Sequence, residues 1–388
     1  METVKPAAAP RVHLDFIEGM RASAALMVLL NHAYGQIWNS TKDDFPPPAL
    51  AFLTDTLVTG HLAVSVFICI SGFCLMLPIA RGNGTLSGGP LLFFKRRARR
   101  ILPPYYAALL LALLLIATVI GKPTGSLWDV CIAIRPSDLV SHVLLLQHFF
   151  GTGRINYSFW SISLEWQIYF FFPLLVVGFR KLGVPLTALL ALALGYSVPI
   201  FVGAQHERLL RANLHFFGLF AIGMVAARIA FAKEESWQWA RQRFPWAGAA
   251  LALIALMTGL ILSWGWLDAI AHWPFLDLLS ALSAGSLLLA AAQSPQNPVR
   301  RVFELRPLVS IGRFSYSLYL VHAPILQLVW QFVIRPLGLT GAPAFGVLAV
   351  LATPLVLAFA QLFYRLVEAP FVSSRPRPAV AAVPPATN

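Results

Sequence analysis

Apolar residues run in long blocks along nearly the whole chain, interrupted by short stretches rich in Arg, Gly and Pro. The blocks match the ~20 residues that a helix needs to cross the hydrocarbon core of a bilayer. They predict ten spans, near 16–36, 57–80, 101–121, 157–179, 184–203, 210–232, 245–267, 272–292, 308–333 and 344–366. The sixth is weakened by Arg211, Asn213 and His215 near its start, and the eighth by Asp277. The expectation is an all-α polytopic transmembrane helical bundle over 1–372. A Pro- and Ala-rich tail over 373–388 reads as disordered.

Composition agrees with that pattern. Of 388 residues, 58% are hydrophobic and only 12% charged, more apolar surface than a soluble globule can hide. A net charge of +13 would suit nucleic acid, but the basic residues fall mostly in alternate loops. With the N-terminus inside, 20 of the 29 Lys and Arg lie on the cytoplasmic side and 7 opposite, which is topogenic charge. Both termini are therefore expected in the cytoplasm, with anionic lipid as the partner of the basic loops and no nucleic acid. The longest connection, about 122–156, is expected outside, where Leu139 to Phe150 suits an interfacial amphipathic helix. Cys69, Cys74 and Cys131 form no disulfide framework or metal spacing.

Ionisable groups inside spans cost roughly 2.5–3.5 kcal/mol each at a helix centre on insertion scales, so each asks for a reason. The first span carries Glu18, Arg21 and His32. Eleven residues of helix bring Arg21 and His32 within about 20° of azimuth and ~16 Å apart along the axis. Glu165 lies among aromatics in the fourth span, in reach of a meeting with His32 or of a structural ion pair. Arg97 and Arg100 share one side of a helix at the basic end, where two guanidiniums can grip a phosphorylated ligand. The ninth span adds a polar stripe of Arg313, Tyr316, Tyr319 and His322, which suggests a cavity rather than lipid contact.

These residues resemble the acyltransferase 3 family, integral membrane O-acyltransferases that modify bacterial surface polysaccharides, lipopolysaccharide, nodulation factors and some macrolides. The family's Arg–ten residues–His motif is similar to Arg21 to His32, introduced by Ile17-Glu18-Gly19 where many members have Leu-Asp-Gly. Phe67 with Ser71-Gly72-Phe73, the Arg97/Arg100 pair, Trp160-Ser161 with Glu165 and Tyr169, Ser315-Tyr316-Ser317 with Tyr319 and His322, and Glu368-x-Pro370 follow in the family's order. The resemblance implies an O-acyltransferase of the bacterial inner membrane that takes acyl-CoA, acetyl-CoA above all, as co-substrate and a saccharide or lipid-linked glycan as acceptor. It implies His32 as general base with Glu165 as its support. Arg21, Arg97 and Arg100 would hold the coenzyme phosphates. Glu18, Ser71, Tyr316, Tyr319 and His322 would contact substrate or the oxyanion. No permanently bound cofactor or metal is implied. Two alternatives stay open at this stage: a transporter of a lipid-linked saccharide or other solute, and an acyltransferase for a small natural product such as a macrolide.

Overall fold

The computed structural model describes residues 14–38, 46, 56–57, 59–201, 210–231 and 234–372. The expected tail over 373–388 lies outside the described residues, as do Lys5 and Arg11. Among those described there are helices and turns but no strand.

Each of the ten expected spans coincides with a helix. We number them α1 (Asp15–Ile37), α2 (Leu62–Arg81), α3 (Gly89–Thr118), α4 (Trp160–Lys181), α5 (Val184–Phe201), α6 (His215–Phe231), α7 (Trp246–Ala271), α8 (Trp273–Gln293), α9 (Ser315–Val329) and α10 (Thr353–Phe363). Seven helical segments among the described residues are long and apolar enough to cross a membrane, those built on α2, α3, α4, α7, α8, α9 and α10. The others depart from that standard for visible reasons. Helix α1 carries Asp15, Glu18 and Arg21 in its first two turns. In α6, Asn213 takes a positive φ of 50°, so the helix starts only at His215, and Arg211 lies before that break on a separate helical segment.

The helices divide into an inner and an outer set. In α8 and α9, 72% of the most apolar window is buried, against 11% in α7, so α7 shows most of its surface outward. Gly265, at φ 75°, breaks α7 near its end. Helices α2, α6 and α8 form one packed group, with α7 against α8. The α2–α6 contact depends on two glycines. A Cβ on Gly72 would collide with the carbonyl of Phe220, and one on Gly223 with the carbonyl of Cys69. In lipid such close backbone approach replaces the hydrophobic drive that water would supply. Helix α1 joins this group to a second one made by α9 and α10.

Prolines shape the helices that carry polar residues. Pro103 and Pro104 in α3 lack an amide proton, which leaves the carbonyls of Arg99 and Arg100 without their intrahelical donors. Pro324 does the same to Leu320 in α9, and the side chain of Asn156 supplies the missing donor at 3.3 Å. The other end of α9 is capped from far along the chain. The Glu368 carboxylate accepts from the backbone N–H of Ser317 at 3.2 Å and from its hydroxyl at 2.5 Å. A carboxylate there answers both the unpaired amides and the positive end of the helix dipole.

The long connection after α3 departs from expectation. Of the expected Leu139–Phe150 helix only the start lies in an α-helix, Pro136–Val143; Leu145 then takes φ 52° and the chain turns back onto the bundle. His142, Gln147 and His148 are buried by that turn, and Trp128 is fully buried with its indole N–H donated to the Ile120 carbonyl.

The alternation of basic loops predicts that exposed Lys95, at the start of α3, and exposed Lys122, just beyond its end, face opposite sides of the membrane. A cysteine at 122 should react with an impermeant maleimide on intact cells, and one at 95 only after permeabilisation. Cys69 and Cys131 are buried and Cys74 is half-buried, so Cys74 is first replaced by Ser to keep the background low. Labelling of both from one side would refute the orientation.

Candidate functional site

Two of the cavities among the described residues are lined by most of the polar residues picked out by the sequence. The smaller, about 270 Å³, is lined by Glu18, Arg21, Ser71, Arg97, Arg100, Glu165, Tyr169, Tyr316 and Tyr319. The larger, about 710 Å³, is lined by His32 with Asn31, His61, His148, Tyr157 and Asp277 among others. Val64 and Tyr319 line both, so they form the partition.

The small cavity brings together residues from five helices. Arg21 and Glu18, one turn apart on α1, lie 3.7 Å from each other. Glu165 accepts the phenol proton of Tyr169, one turn on, at 2.5 Å, and the Tyr169 oxygen lies 3.0 Å from Ser71 Oγ. Tyr316 donates to the Ile101 carbonyl at 3.1 Å. The Arg97 guanidinium stands 6.0 Å from the centre of the Phe93 ring, and its Nε is buried without a partner. Three guanidiniums thus share the wall with two carboxylates. Arg97 and Arg100 make no ion pair among the described residues, which leaves their forked donors for an anion.

In the larger cavity His32 meets His322 rather than Glu165. His32 Nδ1 lies 2.7 Å from His322 Nε2, and the rings are nearly parallel, with centroids 4.9 Å apart. The hydrogen-bond network fixes the tautomers. His322 Nδ1 faces two carbonyls, Tyr319 at 2.8 Å and Leu318 at 3.3 Å, which can only accept, so it carries the proton. Its Nε2 is then an acceptor, and His32 must donate through Nδ1. His32 Nε2 is left with a lone pair, and no group among the described residues hydrogen-bonds to it. An imidazole so held presents a hydrogen-bond acceptor nitrogen, with its tautomer and ring plane set by the second histidine.

Two rungs hold this pair in register. One helical turn beyond His32, the Gln36 amide donates to Gln327 Oε1 at 2.5 Å; Ser126 Oγ donates to the same oxygen at 2.8 Å. Tyr157 stands edge-on to His32 with centroids 4.7 Å apart, and its hydroxyl is buried without a partner. Tyr319, in the partition, shares a proton with Ser161 across 2.6 Å and packs edge-on against Phe67 at 6.0 Å. Arg313, which the sequence places on the same stripe, is exposed and lines neither cavity.

The structure adds a cluster that sequence reading did not assemble. Asp277, fully buried, accepts from Ser65 Oγ at 2.5 Å, His215 Nε2 at 3.0 Å and His61 Nε2 at 3.3 Å. His215 and Asp277 register in the sequence only as interruptions of their spans, and His61 falls at the start of one. The signal that finds them is the expense of two such interruptions, which is relieved if they meet.

The model of an acyltransferase domain family, acyltransferase 3, matches residues 14–365. Acyltransferase MdmB of Streptomyces mycarofaciens is 26% identical over 408 residues, covering 98% of this chain and 97% of that protein. No solved structure matches the chain.

The connection that folds over the large cavity carries a testable charge. Burial pushes the His148 imidazole down from its ordinary value of 6.5 to about 4, and its Nδ1 is bonded to the Ser163 hydroxyl; burial lowers His142 in the same direction. Both are therefore neutral in the fold while the unfolded chain gains protons below about pH 6.5. Stability should fall as pH drops from about 6.5 toward 4. The thermal midpoint of the solubilised protein should decline across that window, and His148→Gln should flatten the decline. An unchanged slope would place the sensitivity elsewhere.

Proposed function

The chain belongs to the acyltransferase 3 family and is a membrane O-acyltransferase, and we propose that it moves a short acyl group, acetyl above all, from acyl-CoA to a hydroxyl of a saccharide. The observation that carries this reading is the partition. A cavity lined by guanidiniums and a cavity lined by a poised imidazole meet at Tyr319 and Val64. A polyphosphorylated donor and a neutral, hydroxyl-bearing acceptor need those two environments. The donor phosphates would rest on Arg97, Arg100 and Arg21 at the cytoplasmic side, and the acceptor would approach through the larger cavity.

The chemistry follows from the tautomers. The acceptor hydroxyl gives its proton to His32 Nε2 as its oxygen attacks the thioester carbonyl. His322, accepting from His32 Nδ1, stabilises the imidazolium that forms. The tetrahedral oxyanion is met by hydroxyl donors at the partition, Tyr319 first, with Ser71 and Tyr316 on the donor side. Collapse breaks the carbon–sulfur bond, and the proton on His32 Nε2 passes to the departing thiolate, so transfer closes without an acyl-enzyme. Glu165, bonded to Tyr169 and within the guanidinium-lined cavity, serves donor binding in this scheme. The setting would be the inner membrane of a bacterium and the product an acylated cell-surface glycan, or an acylated natural product if the acceptor is a small molecule.

His32→Gln keeps a hydrogen bond to His322 but cannot take a proton, and should lower the transfer rate by about 10²–10⁴-fold at normal expression. His322→Gln should cost less, because it removes support from the base rather than the base itself. Near-normal transfer by well-folded His32→Gln protein would exclude the general base.

Changing Arg97 and Arg100 together to Gln should raise the acyl-CoA concentration needed for half-maximal rate. Membrane insertion should be unaffected, since Lys95, Arg96 and Arg99 keep the local positive charge. An unchanged dependence on acyl-CoA would return the pair to a topogenic role.

A further inference from the structure

The mechanism leaves unused the most expensive polar cluster in the bundle. Asp277 on α8, His215 at the start of α6, and His61 with Ser65 near the start of α2 meet inside three packed helices. Nothing in acyl transfer from His32 requires a carboxylate there, and helix packing alone would be served by apolar residues at lower expense. The cluster does not fill the core but forms a wall of the larger cavity.

His61 is held more tightly than hydrogen bonding alone would hold it. Its ring is sandwiched between two indoles, Trp273 with centroids 4.2 Å apart and Trp160 at 5.5 Å, each within 6° of parallel. Both indoles also line the cavity. The carboxylate fixes the remaining freedom. His61 Nε2 and His215 Nε2 both face one Asp277 oxygen, which accepts, so in each neutral ring Nδ1 is the atom without a proton. The result is a rigid aromatic stack with fixed hydrogen-bond acceptors beside it.

This platform lies on the same chamber as the poised base, and backbone packing ties the two together. Gly60 presses so closely on α1 that a Cβ there would collide with the Asn31 side chain. The residues that follow each of these contacts, His61 and His32, line the same cavity.

We propose that the Trp160–His61–Trp273 stack, oriented by Asp277 and His215, is the docking subsite for the acceptor, and that it selects a polyhydroxylated ring. Such a ring carries hydroxyl donors on its edge and apolar C–H groups on its face. The imidazole acceptors answer the first and the indoles answer the second. The proposal rests on the acyl-transfer reading given above and deepens it, by separating acceptor binding at His61 from proton transfer at His32.

Steady-state kinetics on the purified full chain in nanodiscs tests it, with acetyl-CoA as donor and a panel of methyl glycosides as acceptors, product ester being read by mass spectrometry. Two variants share the question. His61→Phe keeps an aromatic ring in the stack and loses both nitrogens; His61→Gln keeps a donor toward Asp277 and loses the stacked ring. Each should raise the acceptor KM by about tenfold, the equivalent of one good polar contact, while the donor KM follows the wild type. An unchanged acceptor KM, or acceptor and donor KM rising together, would overturn the platform and leave the acyltransferase reading intact. A wild-type protein that turns over acetyl-CoA but acylates none of the glycosides would overturn the saccharide reading, and the platform with it.

Discussion

The hydrogen bond between His32 and His322 is the interaction on which the site depends. It crosses from the first helix to the ninth, between residues separated by 290 positions, in surroundings where an unpaired imidazole would be costly. Everything needed to hold it in register is nearby. The Gln36–Gln327 rung sets the axial position of the two helices, the Tyr319 carbonyl sets the tautomer of His322, and Asn156 occupies the carbonyl that Pro324 leaves free. A single bond therefore fixes the tautomer and ring plane of an imidazole on an otherwise apolar helix.

The two cavities obey different electrostatic rules, and that separation is as informative as any residue. Three guanidiniums and two carboxylates line the smaller one, while imidazoles, amides, indoles and apolar groups make up most of the larger, with Asp277 and Arg211 in its wall. A transferase has to bring two reactants to a common point without giving either free passage. A tyrosine pinned by a serine, with a valine beside it, is a compact way to divide the chambers.

Much of this was legible in the sequence, and what was not has identifiable causes. Block hydropathy placed a helix at each of α1 to α10, because the apolar runs are long. Arg21 and His32 were readable as a pair since both lie on one helix and periodicity relates them. The partner of His32 was not, because no period connects α1 to α9. Glu165 was an equally reasonable choice until packing placed it in the other chamber. Asp277, His215 and His61 each read as a flaw in a span, and only their meeting gives them meaning. The connection from Leu139 to Phe150 carried an amphipathic pattern, yet the turn at Leu145 buries histidines that a surface helix would have left wet. The Trp160 and Trp273 rings gave no sign that they would clasp an imidazole, since aromatic residues are common in every span.

The Glu368 carboxylate at the start of α9 has a bearing on how the molecule is made. Synthesis runs from α9 to Glu368, so the residue that completes the first turn of α9 is made after the helix it caps. Until Glu368 arrives, the amide and hydroxyl of Ser317 have no carboxylate to receive them, and the helix bearing Tyr316, Tyr319 and His322 lacks its anchor. Helical turns made after α9 thus anchor a helix that carries part of both cavities' partition. A chain that ends before Glu368 would hold every lining residue of both cavities without the cap that anchors α9.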